Sequence, residues 1–158
     1  MPTLWRITKT RYASTAFDGE GGRRHGGRWH SVGVRVAYAS QSASLAALEV
    51  LVGLQQSRFL PAYSLLSIQV DDGDVEILPA AALPSHWRSH PPAPESQAIG
   101  DRWVAEGRFP ALRVPSAIID GEFNYLLNPA HPGFTALAIS APVPFAFDPR
   151  LAALLRTS

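Results

Sequence analysis

Val34-Arg35-Val36-Ala37-Tyr38-Ala39-Ser40-Gln41-Ser42-Ala43-Ser44-Leu45-Ala46-Ala47-Leu48-Glu49-Val50-Leu51-Val52-Gly53-Leu54 reads as a strand, a cap and a helix in succession. Val34 to Ala39 is the strand, and Ser40-Gln41-Ser42 supplies the N-cap candidates for the helix. In the helix, Leu45, Leu48 and Val52 share a face with Glu49 by the i, i+3, i+4, i+7 rule. The opposite side, with Ala43, Ala47, Val50, Leu51 and Leu54, is no more polar, and a helix apolar all round is normally buried. Between Arg35 and Arg58 the one formal charge is Glu49. Carboxylates are rarely buried unless paired, hydrogen-bonded or lining a cleft, so Glu49 is the first candidate for function.

Outward from this segment, Leu4 to Ile7 reads as a short opening strand. Thr8 to Trp29 reads as a long polar loop rich in Gly and Arg, and loops of that length are usually functional or disordered. Downstream, Tyr63 to Val70 alternates as a strand, ends at the turn signal Asp71-Asp72-Gly73-Asp74, and Val75 to Leu78 pairs beyond it. Pro79, Pro84, Pro91, Pro92 and Pro94 make Pro79 to Glu95 a loop, after which Ser96 caps a helix towards Gly107 with Ile99, Trp103 and Val104 on its apolar side. Leu112 to Val114 and Ala117 to Ile119 look extended, interrupted by Pro115-Ser116. Phe134 to Ile139 and Val143 to Phe147 read as late strands, and Asp148-Pro149 opens a C-terminal helix through Leu155. Strands and helices mix without regular βαβ alternation, which predicts an α+β fold in a single domain over residues 1–158.

The bulk properties narrow the function classes. An apolar content of 46% with 17% charged residues suits a soluble globular chain long enough for a real core. A net charge of +1 gives no general reason to bind nucleic acid or an anionic membrane. With no cysteine, disulfides and thiolate chemistry are excluded, in keeping with a cytoplasmic location. There is no signal core after Met1-Pro2-Thr3-Leu4-Trp5-Arg6 and no apolar run of membrane-spanning length.

Gly19-Glu20-Gly21-Gly22-Arg23-Arg24-His25-Gly26-Gly27-Arg28-Trp29 combines backbone amides with guanidinium groups, a natural set for phosphate. It fits neither Walker A nor GxGxxG, and a solvated basic loop is the equal alternative. Tyr38 ends the strand that leads into the Glu49 helix and could stack on a flat heterocycle, or serve as a core aromatic. Arg6, between Trp5 and Ile7, needs an anion if it points inward, whereas the plainer reading is a surface arginine. His86 and His90 lie in the Pro-rich stretch with Trp87 where HExxH has glutamate, so no metal site is expected. There is no Gly-x-Ser-x-Gly elbow, and Ser116 and Asn124 are cleft candidates whose commoner role is bonding to backbone in turns.

Arg6, Gly26-Gly27-Arg28-Trp29, Tyr38, Glu49, Val114-Pro115-Ser116 and Asn124-Tyr125-Leu126-Leu127-Asn128-Pro129-Ala130-His131-Pro132 together resemble the RES domain, in order and over nearly the whole chain. The resemblance implies a fold similar to ADP-ribosyltransferases, NAD+ as substrate with no metal, and a bacterial toxin whose antitoxin carries an Xre-like DNA-binding region and blocks the active site. It further implies that Glu49 is the catalytic acid residue, with Tyr38 and Arg28 beside it, and that Arg6, Gly27, Arg28, Tyr38, Ser116 and Asn124 bind NAD+. His30 stands where the family pattern has asparagine, so no role is carried over to it. The chemistry is coherent, because cleaving the nicotinamide–ribose bond builds positive charge that a fixed carboxylate stabilises. The acceptor of ADP-ribose, whether a protein target, water or phosphate, is open, and a non-catalytic nucleotide- or RNA-binding module built on the Gly-Arg loop is the alternative.

Overall fold

The computed structural model describes residues 1–54 and 61–154. Its strands are β1 (Thr3–Lys9), β2 (Ala37–Ser40), β3 (Tyr63–Gln69), β4 (Val75–Ile77), β5 (Ala111–Pro115), β6 (Phe123–Leu127), β7 (Ala138–Ile139) and β8 (Val143–Phe145). They form one sheet in the order β4-β5-β6-β2-β1-β3-β7, with β8 pairing the other end of β3. Every pairing is antiparallel except β4 with β5. The helices are α1 (Glu20–His25), α2 (Ala43–Gly53), α3 (Pro94–Glu106) and α4 (Pro149–Leu154), so the α+β expectation holds. Among the described residues no helix is long and apolar enough to cross a membrane.

Side-chain alternation along the strands sorts the core. Leu4, Ala37, Ala39, Leu66, Ile68 and Leu127 form one cluster, closed by Ala16 and Phe17 from the segment after β1. Val36, Leu112, Val114 and Leu126 meet Trp29 and Trp103 under α3 in a second. Ile7 joins Ala46, Tyr63 and Phe147 in a third, where α2 lies on β1.

The sheet is opened by unequal pairing on the two sides of β1. This strand runs in register with β3 over its full length, from Thr3↔Gln69 to Lys9↔Tyr63. With β2 it pairs only at Trp5↔Ser40. Beyond that point the two strands part, and Arg6 bridges the seam with its Nη1 donating to the Tyr38 carbonyl at 2.8 Å.

Several sequence expectations change. The stretch from Thr8 to Trp29 is not a continuous loop, because it completes β1 and then forms a 3₁₀ turn (Thr10–Thr15) and α1. Ser42 is the cap of α2, its hydroxyl accepting from the Leu45 amide, but the helix is not buried: Leu45 and Ala46 are covered and Val52 is 65% exposed. Ser96 does not cap α3, which starts two residues earlier with Pro94 at its first turn and leaves Ser96 buried inside. Ala117 to Ile119 is a bend, since the Ser116 hydroxyl accepts the Ile118 and Ile119 amides and folds the chain back into β6. Phe134 to Ile139 shortens to a 3₁₀ turn (Phe134–Ala136) and β7, and the C-terminal helix is described to Leu154, Leu155 lying outside the described residues.

Candidate active site

β2 and β6 pair Tyr38 with Leu126 and Ser40 with Asn124, so alternation brings Tyr38, Ser40 and Asn124 onto one face. α2 packs across that face and lowers Glu49 towards it. A cavity of about 280 Å³ opens between them, lined by Arg6, Tyr38, Ser40, Glu49 and Asn124 with the apolar Trp5 and Val50.

Glu49 is half-buried, and its Oε1 accepts from Asn124 Nδ2 at 2.7 Å. Asn124 Oδ1 in turn accepts from the Ser40 hydroxyl at 2.6 Å. The carboxylate can only accept, so this chain fixes the asparagine amide with its NH₂ towards Glu49. Burial pushes the Glu49 carboxyl above its ordinary value, while the Asn124 hydrogen bond and the charge of Arg28 act the other way. The acid is thus oriented and partly desolvated, and the Asn124 hydrogen bond and Arg28 charge offset only part of what burial costs its charged form.

The Tyr38 hydroxyl is fully engaged away from the cavity. His30 is completely buried, with Nδ1 2.8 Å from Tyr38 Oη and Nε2 2.8 Å from the Gly22 carbonyl. A carbonyl only accepts, so in neutral His30 Nε2 carries the proton and Tyr38 donates to Nδ1. Burial lowers the His30 pKa, which keeps it neutral, against the Gly22 hydrogen bond and the Asp101 charge. Burial likewise raises Tyr38 far above the ordinary phenol, and the Trp29 amide donates to its oxygen at 3.3 Å. What Tyr38 offers the cavity is its ring, not a titrating hydroxyl.

Arg6 makes no ion pair among the described residues, and its buried Nε has no partner. Burial holds its guanidinium below the ordinary arginine value, opposed by the Asp18 charge, yet an arginine stays protonated. A half-buried guanidinium without an ion pair has the chemistry to receive an anion.

The other candidates sit differently. Arg28 does not line the 280 Å³ cavity; its Nη1 donates to the carbonyls of Trp87 and Ser89, both at 2.8 Å, and it acts on Glu49 through its charge. Gly27 is a close-approach position, since a Cβ there would fall 2.8 Å from the Tyr38 hydroxyl. Ser116 is buried in its turn and is not brought to the cavity. The Gly-Arg run is largely self-satisfied: Glu20 receives Arg23, Arg24 and Arg35, and those partners draw its carboxyl down to about 2. Ser40 and Trp5 were missed by sequence reasoning. Ser40 was legible only as the i+2 neighbour of Tyr38 on a strand.

Fold and site define a small α+β protein with an oriented, half-buried carboxylate at the parted seam of a single sheet. Residues 3–148 match the RES domain, and the chain belongs to that family. Its relatives include the "Toxin Res" of Yersinia enterocolitica, 39% identical over 149 residues covering 94% of this chain and 98% of the relative. The "Prs ADP-ribosylating toxin" of a Sphingobium species is 34% identical over 154 residues, covering 94% and 96%. A chain of the crystal structure of the M. tuberculosis MbcT–MbcA toxin–antitoxin complex superposes with a TM-score of 0.74 at 25% identity, covering 99% of this chain and 90% of that one. The chain is a RES-domain toxin.

Proposed function

We propose that this toxin consumes NAD+, breaking the nicotinamide–ribose bond and transferring ADP-ribose to an acceptor. The observation that carries the reading is the Glu49 carboxylate, held by Asn124 over a cavity that also presents the Tyr38 ring and the unpaired Arg6. The relative named for ADP-ribosylation supports it.

In the reaction, the C–N bond electrons leave with nicotinamide, whose ring nitrogen loses its positive charge, and the ribose acquires oxocarbenium character. Glu49 stabilises that charge more in the transition state than in the ground state, a contribution worth about 3 kcal/mol for a preorganised group. Nicotinamide is a good leaving group and needs no general acid, which agrees with a Tyr38 hydroxyl tied to His30. The ring packs on the nicotinamide, and Arg6 takes a phosphate. Arg28 contributes by favouring the ionised form of Glu49 from outside the cavity. The acceptor is a protein side chain, water or phosphate, and its proton leaves as the new ribosyl bond forms.

The NAD+ reading gains over a nucleotide- or RNA-binding loop because Arg23, Arg24 and Arg35 are gathered onto the Glu20 carboxylate and away from the cavity that holds Glu49. A cognate antitoxin with an Xre-like DNA-binding region would silence the toxin by covering the cavity, and the exposed Val52 on α2 provides apolar surface near it. The test is incubation with labelled NAD+ and separation of free product from labelled protein. Glu49→Gln should reduce NAD+ consumption by about 10²–10³-fold or more. Undiminished turnover by that variant would sink the mechanism.

A further inference from the structure

The proposed reaction gives His30 no part, yet the fold buries it completely and places each ring nitrogen 2.8 Å from a partner. On one side the partner is the Tyr38 hydroxyl, on the other the Gly22 carbonyl of α1. A buried polar network with every member satisfied rigidifies what it joins. We propose, on the basis of the NAD+ reading, that His30 is a positioning residue: it fixes the Tyr38 ring in the cavity wall, so that nicotinamide meets a surface already in place.

The ring needs such a tie. Tyr38 lies on the stretch of β2 that has parted from β1, and its pairing with Leu126 of β6 sets the strand without setting the side-chain torsions. Those are set at the hydroxyl, which donates to His30 Nδ1 and accepts from the Trp29 amide at 3.3 Å. The imidazole is itself confined. A Cβ at Gly22 would fall 3.0 Å from its Nε2, and one at Gly27 would fall 3.1 Å from its Cε1. The same Cβ at Gly27 would lie 2.8 Å from Tyr38 Oη and 3.1 Å from its Cε2. Two glycines of the Gly-Arg run therefore make room for this pair of rings, whose centroids are 5.4 Å apart, a role that needs no phosphate. His30 does not line the 280 Å³ cavity, so it acts on a ligand there through Tyr38. A side chain ordered in this way during folding does not have to be ordered again by the ligand, and that saving appears as affinity.

The experiment measures NAD+ binding by calorimetry in a Glu49→Gln background, and KM and kcat in the otherwise unchanged protein, for His30→Leu, His30→Asn, Tyr38→Phe and the His30→Leu/Tyr38→Phe pair. His30→Leu removes both hydrogen bonds, and Tyr38→Phe keeps the ring while cutting the tie from its other end. Each should weaken NAD+ binding and raise KM by about tenfold, with kcat changed by less than about threefold. The pair should be no worse than either variant alone, because both remove one bond. His30→Asn, whose side-chain oxygen can still accept the Tyr38 hydroxyl, should bring KM back towards the wild-type value. Melting curves are run beside these, and if His30→Leu does not fold, Tyr38→Phe carries the same test. A purely structural His30 would lower the melting temperature and leave the affinity of the folded variants unchanged, which overturns the proposal. Single effects that multiply in the pair, or an asparagine variant no better than leucine, overturn it as well. NAD+ binding that depends on His30 in a protein that never cleaves NAD+ would uphold the positioning role and remove the catalytic reading, whereas no NAD+ binding in the Glu49→Gln background removes both.

Discussion

Asn124 holds Glu49 with one end of its amide and Ser40 with the other, which under the proposed mechanism ties the asparagine to the pH dependence of turnover. If catalysis needs the carboxylate, the rate falls on the acid side as Glu49 takes up a proton. Burial has already moved that titration upward, and the Asn124 donor restrains it. Asn124→Ala removes a partner of the charged form, so the acid limb of kcat against pH should move to higher pH, and kcat/KM at neutral pH should drop by about 10–100-fold. A limb that stays in place in the variant would mean that Glu49 is not the group being titrated. Glu49 itself was legible in the sequence as a lone charge in an apolar helix. Asn124 was named as a cleft candidate, but its bond to Glu49 was not legible, because it joins positions that meet only where α2 packs over the β2–β6 pair. Ser116 was the opposite case: the commoner role for its type, bonding to backbone in a turn, is the one it has, and only the resemblance placed it in the pocket.

At the level of elements, α1 marks the limit of local reading. Two glycines in a six-residue segment argue against helix, and a helix so short is marginal alone. It forms because Glu20 gathers Arg23, Arg24 and Arg35, and because Gly22 seats against β2 beside His30. The two glycines therefore differ. Gly21 has open space, so Gly21→Ala should stabilise the protein by about 0.5–1 kcal/mol. At Gly22 a Cβ would fall 2.1 Å from the Val36 carbonyl oxygen, so Gly22→Ala should destabilise it by about 1–3 kcal/mol. Urea melts of the two variants decide this, and equal shifts would refute it. Elements whose own pattern is strong were legible, as with β1, β3, α2 and the body of α3. β6 was quoted as a motif without being recognised as a strand, and the two-residue β7 has too little sequence to announce itself; pairing partners define both.

On the scale of the whole molecule, the parted seam decides what the fold can do, and no local pattern encodes it. It arises from β1 pairing along its full length with β3 while meeting β2 at one residue pair. The opening leaves Glu49 in a setting that favours its neutral form, and this links stability to pH. A carboxyl whose pKa is higher folded than unfolded adds stability below its unfolded value and loses it as pH rises through the folded one. At pH 7 the ionised Glu49 therefore weighs against folding. Glutamine keeps an oxygen for the Asn124 amide and carries no charge to desolvate, so Glu49→Gln should be more stable than the wild type at neutral pH by about 1 kcal/mol, or roughly 2–4 °C in melting temperature. The advantage should shrink in acid, where the wild-type carboxyl is protonated as well. Melting curves from acid to neutral pH read this directly, and a variant less stable than the wild type at pH 7 would show that the hydrogen bond and Arg28 outweigh burial. The substitution expected to abolish turnover is thus expected to strengthen the fold, because the charge proposed to act in the reaction is one the folded protein holds at a cost.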